Sequence, residues 1–391
     1  MHHQRLPGLD VLRALAIVWV MVYHLVSYGL QVGAILGPIA DLGWMGVDLF
    51  FVLSGFLIGG QVFAACAAPE GPRWGALWSG YLLRRALRVL PAYLAVLALY
   101  LWLPAWRESP GMQPAWQFLS FTANLFPDYF RNRAFSHAWS LCVEEHFYLL
   151  LPLAVMVLSR RPSLRKSAWF VLALLLGGIA ARAWAWHTQV APYLHVNAGE
   201  DWFVLRYVEH VYNPTWARLD GLLVGATLAA VRLYRPAWWR WMTARGWAFL
   251  AAGVLLVGAA ARLFDGPPGE AGAVIGFPLL SLGLGWVLVG MASPHILPGR
   301  IQVPGARLLA TLAFSLYLTH KSMYRLVSDV AGGYLEGSKL LALACYGGAA
   351  LAAGALLYLA VERPGLRLRE RLARARPPVA VAVSRSRAGS W

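Results

Sequence analysis

Residues Leu9 to His24 read LDVLRALAIVWVMVYH. The run has the apolar character of a membrane-spanning helix, which needs about 20 predominantly apolar residues to cross a hydrocarbon core of about 30 Å. Arg13 and His24 nevertheless stand inside it. At about 100° per residue, their eleven-residue separation brings the chain back to within about 20° of its starting direction, after a rise of about 16 Å. The two side chains therefore share one helix face. Burying an arginine against lipid costs at least about 2.5 kcal/mol, so that face belongs inside a bundle.

The rest of the chain supplies the bundle. Of its 391 residues, 59% are hydrophobic and 13% charged, with a mean hydropathy of +0.55. Soluble domains carry about 25% charged residues, so the composition excludes an ordinary soluble fold. The expected fold is an all-α integral membrane protein with a bundle of about ten transmembrane helices. The candidate spans are 10–30, 44–65, 86–106, 138–158, 167–187, 216–232, 247–263, 272–292, 307–327 and 339–361. One transmembrane domain is expected over residues 1–376, followed by a disordered basic tail at 377–391.

The net charge of +16 sits in short clusters between apolar segments, which orients helices rather than contacting nucleic acid. With the N-terminus in the cytoplasm, Arg73, Arg84, Arg85, Arg160, Arg161, Arg165, Lys166, Arg232, Arg235, Arg240, Arg245 and Arg300 all fall on the cytoplasmic side. Both termini are then cytoplasmic. The opposite loops are poor in basic residues, except the third, which carries Arg107, Arg131 and Arg133. The N-terminal segment has a weak basic region (His2, His3, Arg5) but no small-residue cleavage site, and reads as a retained first helix. Cys66, Cys142 and Cys345 lack disulfide or metal-ligand spacing, and no metal site is expected. Nothing in the sequence specifies an oligomeric state.

Placed on this topology, the intramembrane polar residues fall into two layers. Asp48, Glu144, Glu145, His146, Arg218, Asp220 and His320 fall toward the outer side, and Arg13, Arg84, Arg85 and Arg88 toward the cytoplasm. Arginines at the inner surface suit bidentate contacts with the phosphates of a donor made in the cytoplasm. A neutral histidine in the outer half suits removal of a proton from an acceptor hydroxyl. Glu144 is the first choice for a carboxylate that fixes the imidazole tautomer. Each residue also has a plainer reading. A lone intramembrane histidine serves as an interhelical hydrogen bonder, Arg84, Arg85 and Arg88 as orientation signals, Glu144 as an ion-pair partner of Arg218, and Ser54 as helix packing.

These residues carry a resemblance to the membrane-bound acyltransferase 3 family of bacterial multi-spanning O-acyltransferases. The matching stretches, in order, are LDVLRALAIVWVMVYH, GWMGVDLFFVLSGFLI, RRALRVLPAY, HAWSLCVEEHFYLLLP, ARLDGLLVGATLA, FSLYLTHKSM and VERPG. The resemblance implies an acyl-CoA co-substrate, acetyl-CoA first, and an acceptor hydroxyl on a glycan or glycosylated small molecule. It implies a functional pair of Arg13 and His24, donor handling by Arg85 and Arg88, and a role for Glu144. His146 stands where the family commonly has glutamine, so His146 and His320 remain alternatives to His24 for the base.

The sequence thus points to a plasma-membrane O-acyltransferase with His24 and Glu144 as catalytic residues and Arg13, Arg85 and Arg88 as donor-binding residues. Asp48, Asp220, His320 and His146 are supporting candidates. The alternatives are a transporter or flippase using the same buried residues as a proton or substrate path, and a carrier passing acyl groups to a separate transferase.

Overall fold

The computed structural model describes residues 6–28, 33, 37–67, 74–194, 201–335 and 337–375. The tail expected at 377–391 lies outside them. Among the described residues the chain is helical, and the one extended pairing is an isolated bridge between Met112 and Ala134. The bilayer core offers backbone N–H and C=O groups no water, so an apolar chain satisfies them within helices.

Among the described residues, the helices that overlap the candidate spans are α1 (Pro7–Val26), α2 (Met45–Cys66), α3 (Trp74–Trp102), α4 (Trp139–Ser159), α5 (Leu164–Ala185), α6 (Asp220–Tyr234), α7 (Gly246–Leu263), α8 (Phe277–Met291), α9 (Ala306–Leu335) and α10 (Lys339–Leu357). Among the described residues, seven segments are long and apolar enough to cross a membrane: Pro7–Val26, Gly37–Cys66, Ser136–Ser159, Leu164–Tyr193, Gly246–Leu263, Gly272–Met291 and Lys339–Leu372. The protein is a multi-pass membrane protein. The other three helices are α3, with Arg84, Arg85 and Arg88; α6, of 15 residues; and α9, with Lys321, Arg325 and Asp329. Helix α3 begins at Trp74 rather than near residue 86, so its arginines lie about three turns inside the helix rather than at its start.

The centre of the bundle is built on α2 and α6. Gly55 and Gly59 on α2 face Gly221 and Gly225 on α6, each pair at the four-residue spacing that lets membrane helices approach closely. A Cβ on Gly55 would overlap the carbonyl oxygen of Leu222, and one on Gly225 that of Val52. This contact brings the first turn of α2 against the start of α6. Helix α1 packs between α2 and α9, which sets its Arg13–His24 face toward the interior.

The segment between α3 and α4 folds over one end of the bundle. Arg107, one of the basic residues that departed from the charge pattern, donates to the carbonyls of Tyr100 (2.6 Å) and Leu101 (3.1 Å) at the C-terminal end of α3. A cation there satisfies orphan carbonyls and complements the helix dipole. Phe135 adopts a left-handed conformation (φ 57°) and is fully buried, stacked on Tyr93 and Tyr100. That packing holds the unusual backbone and turns the chain into the short helix carrying Ser136 and His137. Helical turns of π geometry at Val208–Tyr212 and Tyr358–Glu362 place Tyr212 and Glu362, which line the two cavities described next.

Candidate active site

Two cavities lie along α1, α2, α4 and α9, the larger one extending to the segment 204–213 and to the end of α7. The larger, of about 870 Å³, is lined by His24 together with Tyr23, Trp44, Tyr129, Arg133, Ser136, His137, Trp139, Tyr212, Tyr317 and Lys321. The smaller, of about 120 Å³, is lined by Arg13 together with Phe50, Ser54, Arg88, Ser140, Glu144, Phe314, Tyr317 and Glu362. Arg13 and His24 therefore share a helix face but not a cavity. Val47 and Tyr317 line both spaces and form the wall between them.

At the histidine end, His24 Nδ1 lies 2.9 Å from His320 Nε2. His320 is fully buried, and its Nδ1 faces the carbonyl oxygens of Tyr317 (2.9 Å) and Leu316 (3.1 Å). Carbonyls only accept, so neutral His320 carries its proton on Nδ1 and its Nε2 accepts. His24 then donates from Nδ1, which leaves the lone pair on its Nε2. An imidazole fixed in this tautomer, at the edge of a large polar-rimmed cavity, has the arrangement of a proton acceptor.

A second cluster braces the same rim. Glu108, from the segment after α3, receives Tyr100 Oη (2.7 Å), the backbone N–H of Phe135 (3.1 Å) and Lys321 Nζ (3.2 Å), with His137 Nδ1 at 3.8 Å. Lys321 also donates to Ser136 Oγ at 2.8 Å. Burial alone would raise the Glu108 pKa, but Lys321 and the donors around it hold the carboxyl well below the usual carboxylate range. Lys321 is thereby a fixed cation on the wall that also carries His24.

At the arginine end the carboxylates are not where the two-layer reading puts them. Glu144 accepts from Ser54 Oγ (2.9 Å) and Tyr148 Oη (2.8 Å) and pairs with Arg85 Nη2 at 3.5 Å. The expectation that Glu144 orients the His24 ring is corrected: His320 holds that place, and Glu144 lines the cavity that holds Arg13 and Arg88. The reason lies in α3. Because that helix starts early and its arginines sit inside it, Arg85 reaches Glu144 and Glu145 (3.2 Å) and lies 3.4 Å from the centroid of the Tyr148 ring. Arg88 lines the smaller cavity; Arg85 braces its wall.

The remaining candidates lie elsewhere. Asp48 pairs with Arg218 at 2.7 Å and Asp220 with Arg182 at 2.7 Å, all four at most 4% exposed. Arg218 lies among the rings of Trp139, Tyr212 and Phe277. These pairs join α2, α5 and α6 and line neither cavity. His146 Nδ1 is 2.7 Å from Thr215 Oγ1 and lies outside both cavities. Sequence reasoning left Glu108, Ser136, His137, Tyr317, Lys321 and Glu362 without roles, and it read Ser54 as packing alone. Glu362, whose Oε2 accepts from Ser315 Oγ at 2.6 Å, stands in VERPG, and His137 opens HAWSLCVEEHFYLLLP. Both stretches were visible; what they face was not.

A protein of Bacillus subtilis (strain 168), provisionally named a peptidoglycan O-acetyltransferase, YrhL, is 31% identical over 243 residues, covering 59% of this chain and 34% of that protein. O-acetyltransferase OatA of Staphylococcus aureus (strain NCTC 8325 / PS 47) is 28% identical over 241 residues, covering 58% of this chain and 34% of OatA. The matched region thus spans about a third of the length of these relatives. No solved structure matches the chain. Residues 6–359 match the acyltransferase 3 family, described as an acyltransferase domain, and the chain belongs to that family.

Proposed function

We propose that the chain is a membrane-embedded O-acyltransferase that moves a short acyl group, acetyl first, from acyl-CoA to a hydroxyl of a glycan or glycosylated metabolite. The observation that carries this reading is His24, fixed by His320 with its Nε2 lone pair available, on the wall of an 870 Å³ cavity that backs onto an arginine-lined one. The names of the two relatives support the acyl chemistry and favour it over a transporter or flippase.

The smaller cavity is the donor side. At about 120 Å³ it is below the roughly 300–1,000 Å³ of drug-sized ligand sites, so it takes a slim thioester end and not a nucleotide. Arg13 and Arg88 supply positive charge there, Arg85 holds Glu144, and the donor's phosphates remain at the cytoplasmic mouth. The larger cavity is the acceptor side. Its tyrosine and tryptophan rings offer apolar faces to a sugar, and Lys321, Ser136 and Arg133 offer donors to its oxygens. His24 takes the proton of the attacking hydroxyl, and His320 is a positioning residue. This arrangement fits ten spans in the plasma membrane with both termini cytoplasmic, which puts the arginine end inside and the histidine end outside.

Proteoliposomes of the purified chain, given acetyl-CoA labelled in the acetyl group and isolated peptidoglycan glycan strands, test this. Label is expected in ester linkage on the glycan, released by mild alkali. Donor consumption with no His24-dependent ester product would refute the reading.

A further inference from the structure

The same four helices line both cavities in register. From α1 come Arg13 below and His24 above, from α2 Ser54 below with Trp44 above in the turn that leads into it, from α4 Ser140 and Trp139, and from α9 Phe314 and Lys321. The two residues that line both spaces differ in kind. Val47 contributes a short aliphatic group; Tyr317 contributes a ring whose hydroxyl is held from both sides. Tyr317 Oη donates to the carbonyl of His137 (3.0 Å) and lies 2.6 Å from Ser140 Oγ. His137 belongs to the larger cavity and Ser140 to the smaller, so the ring is latched across the boundary. The carbonyl of Tyr317 is also one of the two that fix His320. The backbone at this position is therefore tied to the orientation of His24, and the ring is held separately through its hydroxyl.

Resting on the reading above, we propose that Tyr317 is the septum between donor and acceptor cavities: its ring excludes acceptor-side water from the thioester and swings aside only as the acyl carbonyl enters the wall. In the productive step the acceptor oxygen bonds to the acyl carbon as His24 Nε2 takes its proton. The carbon–sulfur bond breaks, and the thiolate takes back one proton, giving ester and thiol. With the septum missing, water replaces the acceptor and the products are carboxylic acid and thiol. Transfer of an activated acyl group beside a wet cavity needs such exclusion.

The test uses the full chain in detergent micelles with acetyl-CoA and no acceptor, reading free thiol. Tyr317→Ala is expected to raise acceptor-independent thiol release about tenfold, and Tyr317→Phe, which keeps the ring but loses the hydroxyl latch, to raise it less. A residue of merely structural importance would lower hydrolysis and transfer together. Val47→Phe provides a second arm that does not depend on the alanine variant folding: thickening the wall is expected to reduce glycan acylation while leaving acetyl-CoA binding intact. Unchanged thiol release in folded Tyr317→Ala, or unchanged acylation in Val47→Phe, overturns the septum. Failure of the wild-type chain to bind acetyl-CoA overturns the donor assignment as well, and is distinguished by measuring that binding directly.

Discussion

His320 Nε2 and His24 Nδ1 stand 2.9 Å apart, and the backbone carbonyls around His320 decide which of the two donates. The pair does what a carboxylate–histidine pair does in a hydrolase triad, selecting a tautomer, but does it with a neutral acceptor. A neutral partner orients the ring without offsetting the charge that forms on it. Replacing His320 by Ala frees the ring, and kcat is expected to fall between about tenfold and 100-fold, the range seen when outer partners of functional histidines are lost. His320→Gln, whose amide oxygen can accept from Nδ1, is expected to recover part of that loss. Steady-state kinetics on the three proteins, with kcat and KM separated, checks the ordering.

The Glu108–Lys321 pair gives a pH signature. The Glu108 carboxyl is held below its usual range in the folded protein, so the stability it contributes is fully present above its unfolded pKa of about 4.3 and is lost as pH falls through the folded value. Thermal unfolding in detergent should therefore be flat in this contribution from about pH 5 upward and fall more acidically. Glu108→Gln should flatten that acid limb. An acid limb identical in the variant would show that the pair does not contribute it.

Asp48 and Arg218 form a buried pair with no place on either cavity. Asp48→Ala leaves a guanidinium uncompensated among aromatic rings and is expected to cost about 3–5 kcal/mol, with no loss of turnover per folded molecule. The double replacement Asp48→Leu with Arg218→Met should be milder than the single one. Unfolding midpoints and activity per folded molecule separate this from a catalytic role, which would lower turnover in the double variant too.

Arg13 and Arg88 line the smaller cavity with Glu144 and Glu362. Removing one charge as Arg13→Gln or Arg88→Gln is expected to raise KM for acetyl-CoA by about tenfold or more, since a hydrogen bond to a charged group is worth about 1.5–3 kcal/mol. The acceptor KM should be unaffected. Equal effects on both substrates would move these residues out of the donor side.

The helices were legible because an apolar run of about 20 residues has few structures open to it in a bilayer. The shared face of Arg13 and His24 followed from helical geometry alone. What sits opposite that face did not, because pairing across helices depends on register. The close glycine contact of α2 and α6 fixes where Asp48 meets Arg218, and the early start of α3 fixes where Arg85 meets Glu144. An axial displacement of one turn, about 5.4 Å, is enough to move a carboxylate from one cavity to the other. Glu108 was hidden for a different reason. It lies in a segment whose fold rests on a left-handed phenylalanine, Phe135, a conformation no propensity announces.

The central claim is that His24 Nε2 takes the acceptor proton. The most direct measurement is the turnover of purified His24→Ala with labelled acetyl-CoA and glycan strands, alongside donor binding. Turnover is expected to fall at least about 100-fold, the lower bound for a general base, while acetyl-CoA still binds. Wild-type turnover in a folded, donor-binding His24→Ala protein would contradict the account.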